Sequence, residues 1–251
     1  MKRNKRPSAP RQPNQSLING IACLQWVATA EEPVGSRAAA RGLGLEHTRV
    51  NRLLGTLASL GITEKTADGK YQPGPGLHVL AAQSIRSSRL LNAALPHVNN
   101  LLDEGLGVAL GVLWRNYVCY LLSTDPGQDP IQGIGASHPY PVWDSSIGRV
   151  LLAAMPDTAA RKVFVNEKTT PFKTWTEYSS VLNEIRRLGY AYIEKGNAST
   201  LSVQVGLPPV AGIAFCGDFT GRSVSRLAQL LTRAAQKISE DLVSQAHRNS
   251  N

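Results

Sequence analysis

The chain has 251 residues, of which 42% are hydrophobic and 18% charged, and its net charge is +9. This length suits one large domain or two of ordinary size, and the composition excludes a chain that is disordered throughout. No apolar run approaches the ~20 residues of a membrane helix, and the start MKRNKRPSAPR lacks the apolar segment of a secretion signal, so a cytoplasmic protein without a membrane partner is expected.

The positive charge is concentrated at the N-terminus. Residues 1–11 carry five basic residues and no acid, residues 12–76 carry six basic and five acidic residues, and the remainder carries sixteen and thirteen. Residues 1–13 are therefore expected to form a disordered basic tail. Such a tail can bind phosphates without sequence preference, but a solvated tail with no role explains it equally well. Charge alone does not indicate DNA binding.

The cysteine and histidine patterns weigh against several kinds of chemistry. Cys23, Cys119 and Cys216 lie far apart in apolar stretches, which favours buried free thiols over disulfides or a zinc site. The five histidines are scattered, and the sequence contains no HExxH, CxxC, Gly-x-Ser-x-Gly or phosphate-cradling glycine loop. A nucleophilic pairing of Cys216 with a distant histidine has no support from the spacing. We therefore expect no enzymatic activity, metal ion or cofactor.

The segment after the tail predicts two helices and a tight turn. Apolar residues recur at helical spacing over 17–27, with Ser16 as the expected N-cap. A second, short helix is expected from Ser36, its cap, to Gly42. The glycine-containing stretch that ends at Leu45 supplies the turn that a helix-turn-helix requires.

The third predicted helix, Glu46–Leu60, has two chemically different faces. One is an apolar stripe at i, i+3, i+4, i+7 and i+10: Val50, Leu53, Leu54, Leu57 and Leu60. The other carries donors and acceptors suited to base edges and phosphates: His47, Thr48, Arg49, Asn51, Arg52 and Thr56. Two short strands around Asp68-Gly69 then predict a hairpin, the wing of a winged helix-turn-helix. A generic three-helix bundle with a polar face is the alternative, and the order of these elements weighs against it.

These residues predict a partner, double-stranded DNA, and our hypothesis is that a dimer places two such helices in the major grooves of a palindromic site. Because the first turn of such a helix enters the major groove deepest, Thr48 and Arg49 are the expected base readers, followed by His47 and Asn51. Contacts to phosphates, which fix register without encoding sequence, are expected from four further residues: Arg52, Lys65, Lys70 and Tyr71.

Beyond residue 76 the pattern predicts a helical linker, 77–104, and then an α/β domain, 105–247. One helix is expected over 77–95, with Pro96 opening a second. This linker either carries dimer contacts or packs only on its own domain. The predicted elements of the domain are strands at 108–114 and 117–122, helices near 147–154, 157–165 and 176–188, strands near 190–194, 200–206 and 209–216, and a final helix over 221–245.

Several segments together resemble the IclR family of bacterial transcription regulators. In the N-terminal region they are Arg52-Leu53-Leu54-Gly55-Thr56-Leu57, Leu60-Gly61-Ile62 and Tyr71-Gln72-Pro73-Gly74, with Pro73 in place of the usual Leu. Further along, Ser145–Ala153 resembles a Gly-Lys-Ala-Leu-Leu-Ala helix start, with Arg149 for Lys, and Ile185–Ala191 resembles Ile-Arg-x-x-Gly-Tyr-Ala.

The resemblance extends over about 16–245 and implies an α+β fold. Its parts are an N-terminal winged helix-turn-helix (14–76), a helical linker (77–104) and a C-terminal GAF-like α/β domain (105–247). The last of these is expected to bind a small-molecule effector and to form homodimers or tetramers.

In the family, an effector pocket is lined by the start of the helix near residue 147 and by later strands. Carried over position by position, this implies Tyr140, Ser145, Ser146, Ile147, Gly148, Ser202, Ala214 and Cys216. A helix N-terminus after Asp144 offers N–H groups and hydroxyls to a carboxylate, although a simple helix cap explains these residues as well. Some members have an acidic residue where this chain has Ile193. Glu194 is one place on, and a shift of one residue reverses the face of a strand.

Four aromatic residues, Trp114, Tyr140, Trp143 and Tyr192, suggest an aromatic or bulky effector, with core packing as the alternative. The expected function is thus a sequence-specific DNA-binding regulator controlled by a small carboxylate or aromatic compound. The alternative is a small-molecule-binding sensor or enzyme whose helical module binds a protein and not DNA.

Overall fold

The chain divides at Ser87 and Ser88 into two units, Met1–Ser87 and Ser88–Asn251. The computed structural model describes residues 12–135, 139–166, 170–196 and 198–248. Within these ranges, no helix is both long and apolar enough to span a bilayer. The predicted linker, 77–104, is divided between the two units, with its first helix in one and its second in the other.

The first unit is a three-helix core with a hairpin. Its elements are α1 (Gln15–Ala28), α2 (Ser36–Leu43), α3 (His47–Ser59), β1 (Thr63–Lys65), β2 (Tyr71–Pro73) and α4 (Pro75–Arg86). A small core holds them together: Cys23, Val27, Val34, Ala39, Ala40, Val50, Leu54 and Tyr71. In the wing, β1 and β2 are antiparallel with Glu64 opposite Gln72, and Gly69 makes the turn with φ 81°. The predicted order of helices, turn and wing is confirmed.

The start of α1 differs from the prediction. Asn14 is the N-cap, and its side chain accepts a hydrogen bond of 3.1 Å from the backbone N–H of Leu17. Ser16 lies inside the helix. The prediction of Ser16 was wrong because both residues are suitable caps, and asparagine ranks at least as high as serine.

The ends of α2 were also predicted wrongly. Gly35 is the N-cap without a side-chain cap bond, and Ser36 is the first helical residue. At the other end the helix continues through Gly42 and ends at Gly44, which adopts a left-handed φ of 63° that glycine accepts without strain. Gly42 has a different role, because the ring of Trp26 lies against it and a Cβ at this position would overlap that ring.

The helices of the predicted linker break at a serine pair and not at the proline. Ser88 is the N-cap of α5 (Arg89–Leu102), where its hydroxyl accepts a hydrogen bond of 3.3 Å from Leu91 N–H. Pro96 lies inside α5, although a proline in a helix interior costs about 3 kcal/mol. Packing of the apolar face of α5, including Leu91 and Val98, against the sheet and the last helix offsets this cost.

The second unit is a six-stranded antiparallel sheet between helices. Its strands are β3 (Gly107–Trp114), β4 (Tyr117–Thr124), β5 (Tyr140–Pro141), β6 (Ala191–Lys195), β7 (Ala198–Val205) and β8 (Ala211–Gly217), in the spatial order β5-β4-β3-β8-β7-β6. Its remaining helices are α6 (Ser146–Ala153), α7 (Asp157–Asn166), α8 (Trp175–Leu188) and α9 (Val224–Arg248), with a 3-10 turn at Pro130–Gly133.

The two faces of this sheet bury different layers. Leu201 and Val203 belong to the layer under α5 and α9, whereas Ala214 belongs to the layer under α6 and α8. Because strand side chains alternate, Ser202 faces α6 with Ala214, its partner across the strands. We call this surface the α6 face. Glycines allow α6 to lie close to it, since a Cβ at Gly212 would be 2.9 Å from the side chain of Ile147.

Candidate functional site

The face of α3 that does not enter the core is polar and exposed. The residues predicted to bind DNA from this helix are all exposed: His47, Thr48, Arg49, Asn51 and Arg52. On the opposite side Val50 and Leu54 are fully buried, which fixes the rotation of the helix. The apolar stripe is shorter than predicted, because Leu60 is the C-cap and is 67% exposed.

The first turn of α3 is held by two side-chain interactions. The carboxylate of Glu46, the N-cap, accepts hydrogen bonds of 2.8 Å from the backbone N–H groups of both Thr48 and Arg49. These bonds hold the pKa of Glu46 below its usual range. His47 Nε2 lies 3.0 Å from the hydroxyl of Ser36, so a hydrogen bond joins the start of α3 to the start of α2. The backbone that presents Thr48 and Arg49 is therefore preorganised.

Two arginines on α2 extend the basic surface, and the sequence prediction missed them. Arg37 and Arg41 are exposed and line a groove of about 580 Å³ together with Gly44, Leu45 and His47 of the turn and α3. Their i, i+4 spacing on one helix face was the available signal. The groove therefore runs beside the first turn of α3 and presents two cations at its edge.

The wing brings two of its three predicted contact residues to the surface. Lys65 and Lys70 are exposed, and Lys70 Nζ pairs with Asp68 at 2.9 Å. Tyr71 is only 4% exposed and belongs to the core, with Lys65 Nζ 5.8 Å from the centroid of its ring. The structure therefore gives Tyr71 a packing role, and the wing presents its charge through the lysines.

In the second unit, the start of α6 is buried and internally bonded. The hydroxyl of Ser145 accepts a hydrogen bond of 3.2 Å from Gly148 N–H and lies 3.0 Å from the hydroxyl of Tyr120 on β4. Ser146 and Ile147 are 3% and 1% exposed. A Cβ at position 148 would overlap the carbonyl oxygen of Val142, so this close packing requires glycine. Tyr120 was not predicted, because nothing local relates it to residue 145.

The predicted strand residues lie on the α6 face. Ser202 and Ala214 are fully buried, and within the described ranges the hydroxyl of Ser202 has no hydrogen-bond partner. Cys216 lies opposite Thr200, and burial raises the pKa of its thiol to about 11. A nucleophilic cysteine needs a lowered pKa, so this thiol is poorly suited to catalysis. In the described part of the chain, no group of three or more His, Cys, Asp or Glu residues could hold a metal ion.

Tyr140 contacts Lys195, a residue that the prediction missed, at the place where the two edges of the sheet approach each other. Tyr140 lies on edge strand β5, and Lys195 ends the opposite edge strand, β6. Lys195 Nζ donates a hydrogen bond of 3.4 Å to the Tyr140 hydroxyl and lies 3.5 Å from the Asp144 carboxylate. The sheet is therefore curled, and a cation lies beside the residue that precedes the α6 start.

Glu194 does not take the place of the acidic residue that is missing at 193. Along β6 the side chains of Ala191 and Ile193 are buried, whereas Tyr192, Glu194 and Lys195 are exposed. Ala191 belongs to the layer under α6, and alternation places Ile193 on the same face. The α6 face is therefore apolar at this position.

The four predicted aromatic residues do not form one cluster. Trp143 is fully buried and packs edge-on against Tyr178, with ring centroids 4.5 Å apart. Trp114 and Tyr192 are 38% and 37% exposed, and Tyr192 stacks on Phe219. Core packing therefore accounts for Trp143, and Tyr120, which was not among the four, contacts the start of α6 through Ser145.

The buried hydroxyl of Ser202 leads to a prediction about stability. Replacing Ser202 with alanine should leave the free energy of unfolding unchanged or raise it by up to about 1 kcal/mol, because it removes a desolvated group that has no partner in the described part of the chain. Urea unfolding of the two proteins measures this change. A loss of more than about 1 kcal/mol would mean that the hydroxyl has a partner, such as a buried water molecule.

Known proteins resemble this chain along nearly its whole length, although no family model matches it. The transcriptional repressor IclR of Escherichia coli is 22% identical over 259 aligned residues, 94% of each chain. The structure of an IclR family transcriptional regulator from Brucella abortus superposes with a TM-score of 0.76 at 21% identity, covering 95% of this chain and 94% of that one.

A third similar protein, an IclR homologue from Microbacterium hydrocarbonoxydans, was solved in complex with 4-hydroxybenzoate. It gives a TM-score of 0.69 at 22% identity and covers 92% of this chain and all of that one. These solved structures confirm the predicted α+β fold. Three observations agree with one another: the sequence match over nearly the whole chain, the winged helix-turn-helix with its Arg52–Leu57 segment, and the α6 start at Ser145–Gly148. The chain is thus similar in sequence and in fold to IclR-type transcriptional regulators along nearly its whole length.

Proposed function

We propose that this chain is a sequence-specific DNA-binding regulator whose operator affinity is changed by a small-molecule effector bound in its second unit. Residues 14–76 form the DNA-binding module, and residues 105–247 hold the effector. The observation that carries this proposal is the exposed polar face of α3, held rigid at its first turn and flanked by a wing. Such a helix fits the major groove.

The polar and basic residues on and around α3 divide into two roles. Thr48 and Arg49, in the first turn, are assigned to base edges, and His47 and Asn51 are their neighbours on the same face. The remaining cations of this surface are assigned to phosphates, where they fix register: Arg37, Arg41, Arg52, Lys65 and Lys70.

A second copy of the chain is the proposed partner of an apolar surface on the first unit. Helix α1 exposes Leu17 and Ile21, four residues apart and therefore on one face, at 61% and 43%. Helix α4 has no buried residue and exposes Val79 and Leu80 at 54% and 51%. Four large apolar side chains are therefore exposed to water on a small unit, and such exposed apolar surface favours self-association. A symmetric dimer would place two copies of α3 on a palindromic operator.

Acidic substitutions on this surface should weaken the dimer. Introducing Leu17→Glu with Ile21→Glu is expected to raise the dimer dissociation constant at least about 10-fold, since each change exchanges buried apolar area for a buried charge. Sedimentation velocity measures the constant. Val165→Glu, which alters an exposed valine of the second unit, is the matched control. Unchanged sedimentation of the double variant would remove α1 from the interface.

The effector site is proposed between the start of α6 and the α6 face of the sheet. Supporting it are the buried hydroxyl of Ser202, which has no hydrogen-bond partner among the described residues, and a cation, Lys195, beside Asp144. A cation and hydroxyl groups suit a small carboxylate. The related Microbacterium protein is complexed with 4-hydroxybenzoate, so aromatic carboxylates are the first compounds to test. We expect a compound that raises the thermal midpoint also to change DNA affinity. DNA should then change the affinity for that compound by the same factor, as linkage requires.

Retention of DNA by the purified chain tests the proposal as a whole. The fragment upstream of its own gene is incubated with the full chain and excess random competitor DNA, and the retained region is located by footprinting. We expect a protected inverted repeat, called the operator below. Retention no better than that of unrelated fragments of equal length would reject this operator assignment and favour a protein-binding role for the first unit.

A further inference from the structure

Glu46 is an anomaly in the charge pattern of the DNA-facing surface. Between Pro33 and Thr63 it is the only acidic residue, whereas the same stretch contains four arginines. Its side chain is exposed at the start of α3, beside Thr48 and Arg49. A negative charge at this place repels the phosphates of any DNA and therefore lowers affinity without regard to sequence.

Helix capping alone does not account for this residue type. The residues preferred at an N-cap are Ser, Thr, Asp, Asn and Gly, and glutamate is not among them. A serine or asparagine would satisfy the N–H groups of α3 without adding charge to a surface that meets phosphates. The glutamate caps nevertheless, and its two bonds of 2.8 Å hold the carboxylate in one orientation. The Thr48 side chain is a third donor to this carboxylate. An ionised carboxylate has about four acceptor positions, so one remains for an outside donor.

We infer that Glu46 is a specificity-determining residue that accepts a hydrogen bond from the N4 amino group of a cytosine in each operator half-site. In the major groove cytosine presents only this donor. Adenine presents its amino group beside the N7 acceptor, and the lone pair of N7 repels a carboxylate. Because the backbone bonds already fix the carboxylate, little side-chain entropy is lost on contact. The negative charge of Glu46 also disfavours guanine and thymine, because these bases present hydrogen-bond acceptors in the major groove. This inference rests on the proposed DNA-binding function.

The test compares base preferences of the full chain and of E46N. Asparagine keeps a good N-cap while removing the charge. Relative affinities are measured on the operator and on single-base substitutions at every position, with thermal midpoints as a check on folding. E64Q is the matched control, because it removes a negative charge from the wing, where Glu64 accepts a hydrogen bond of 2.6 Å from Gln72.

We expect the full chain to prefer cytosine about tenfold at one position in each half-site. E46N should lose that preference, keep the others and bind random DNA more tightly, whereas E64Q should keep the cytosine preference. The inference is overturned if E46N retains every base preference of the full chain, or if the preference it loses is for adenine. If the unmodified chain shows no base preference at all, the proposed function itself fails, which separates the two results.

Discussion

Replacing Gly148 with alanine is expected to lower the free energy of unfolding of the second unit by about 2–3 kcal/mol. Gly148 lies in the first turn of α6, and a Cβ there would overlap the backbone carbonyl of Val142. The obstructing atoms are backbone, so no side chain can rotate away. The better helix propensity of alanine recovers at most about 1 kcal/mol.

Urea unfolding followed by tryptophan fluorescence reports this change, since the indole of Trp143 is fully buried in the same layer. Gly55→Ala is the matched control, because Gly55 is also a helical glycine and a Cβ there would meet no atom within 4 Å. We expect its unfolding midpoint to stay or rise. Gly148 was predicted to bind the effector. An unchanged midpoint for Gly148→Ala with loss of effector binding would support that role and contradict the packing explanation.

Arg49→Ala is expected to weaken binding to the operator by about 1–3 kcal/mol, while binding to random DNA falls much less. Arg49 is exposed in the first turn of α3, and its backbone N–H is bound by Glu46. In the described part of the structure its guanidinium forms no ion pair, so it is free to contact a base. Fluorescence anisotropy with labelled operator and random duplexes measures both affinities.

Lys65→Ala provides the contrast for this measurement. Lys65 is exposed on the wing and is assigned to a phosphate, so its loss should weaken binding to both duplexes about equally and reduce the salt dependence of the affinity. If Arg49→Ala instead reduces both affinities by the same factor, Arg49 contacts a phosphate. The base contacts would then be made by its neighbours His47, Thr48 and Asn51.

Local patterns were sufficient to predict most elements of this fold. The 3.6-residue spacing of Val50 and Leu54 identified the buried side of α3, and Asp68-Gly69 identified the turn of the wing. Both signals arise within a few residues, where the chain's own geometry decides the structure. Helix ends were predicted less well, because several polar residues compete for one cap, as Asn14 and Ser16 do.

Long-range packing limited the remaining predictions. Pro96 was read as a helix start, but the burial of α5 outweighs the local preference of proline. Lys195 reaches Tyr140 across 55 residues only because the sheet curls, and no sequence spacing contains that information. Likewise the need for glycine at 148 comes from the carbonyl of Val142, whose position depends on the loop before α6.

Selection from a pool of random-sequence DNA by the full chain tests the central claim most directly. If α3 binds a specific sequence, successive rounds of selection with the full chain should enrich an inverted repeat. Selection with Arg49→Ala should enrich the same repeat, but with one position in each half-site occupied by any base. Selection with Lys65→Ala should enrich the unaltered repeat. A final pool no different in sequence from the starting pool, obtained with folded protein that retains DNA, would contradict the claim.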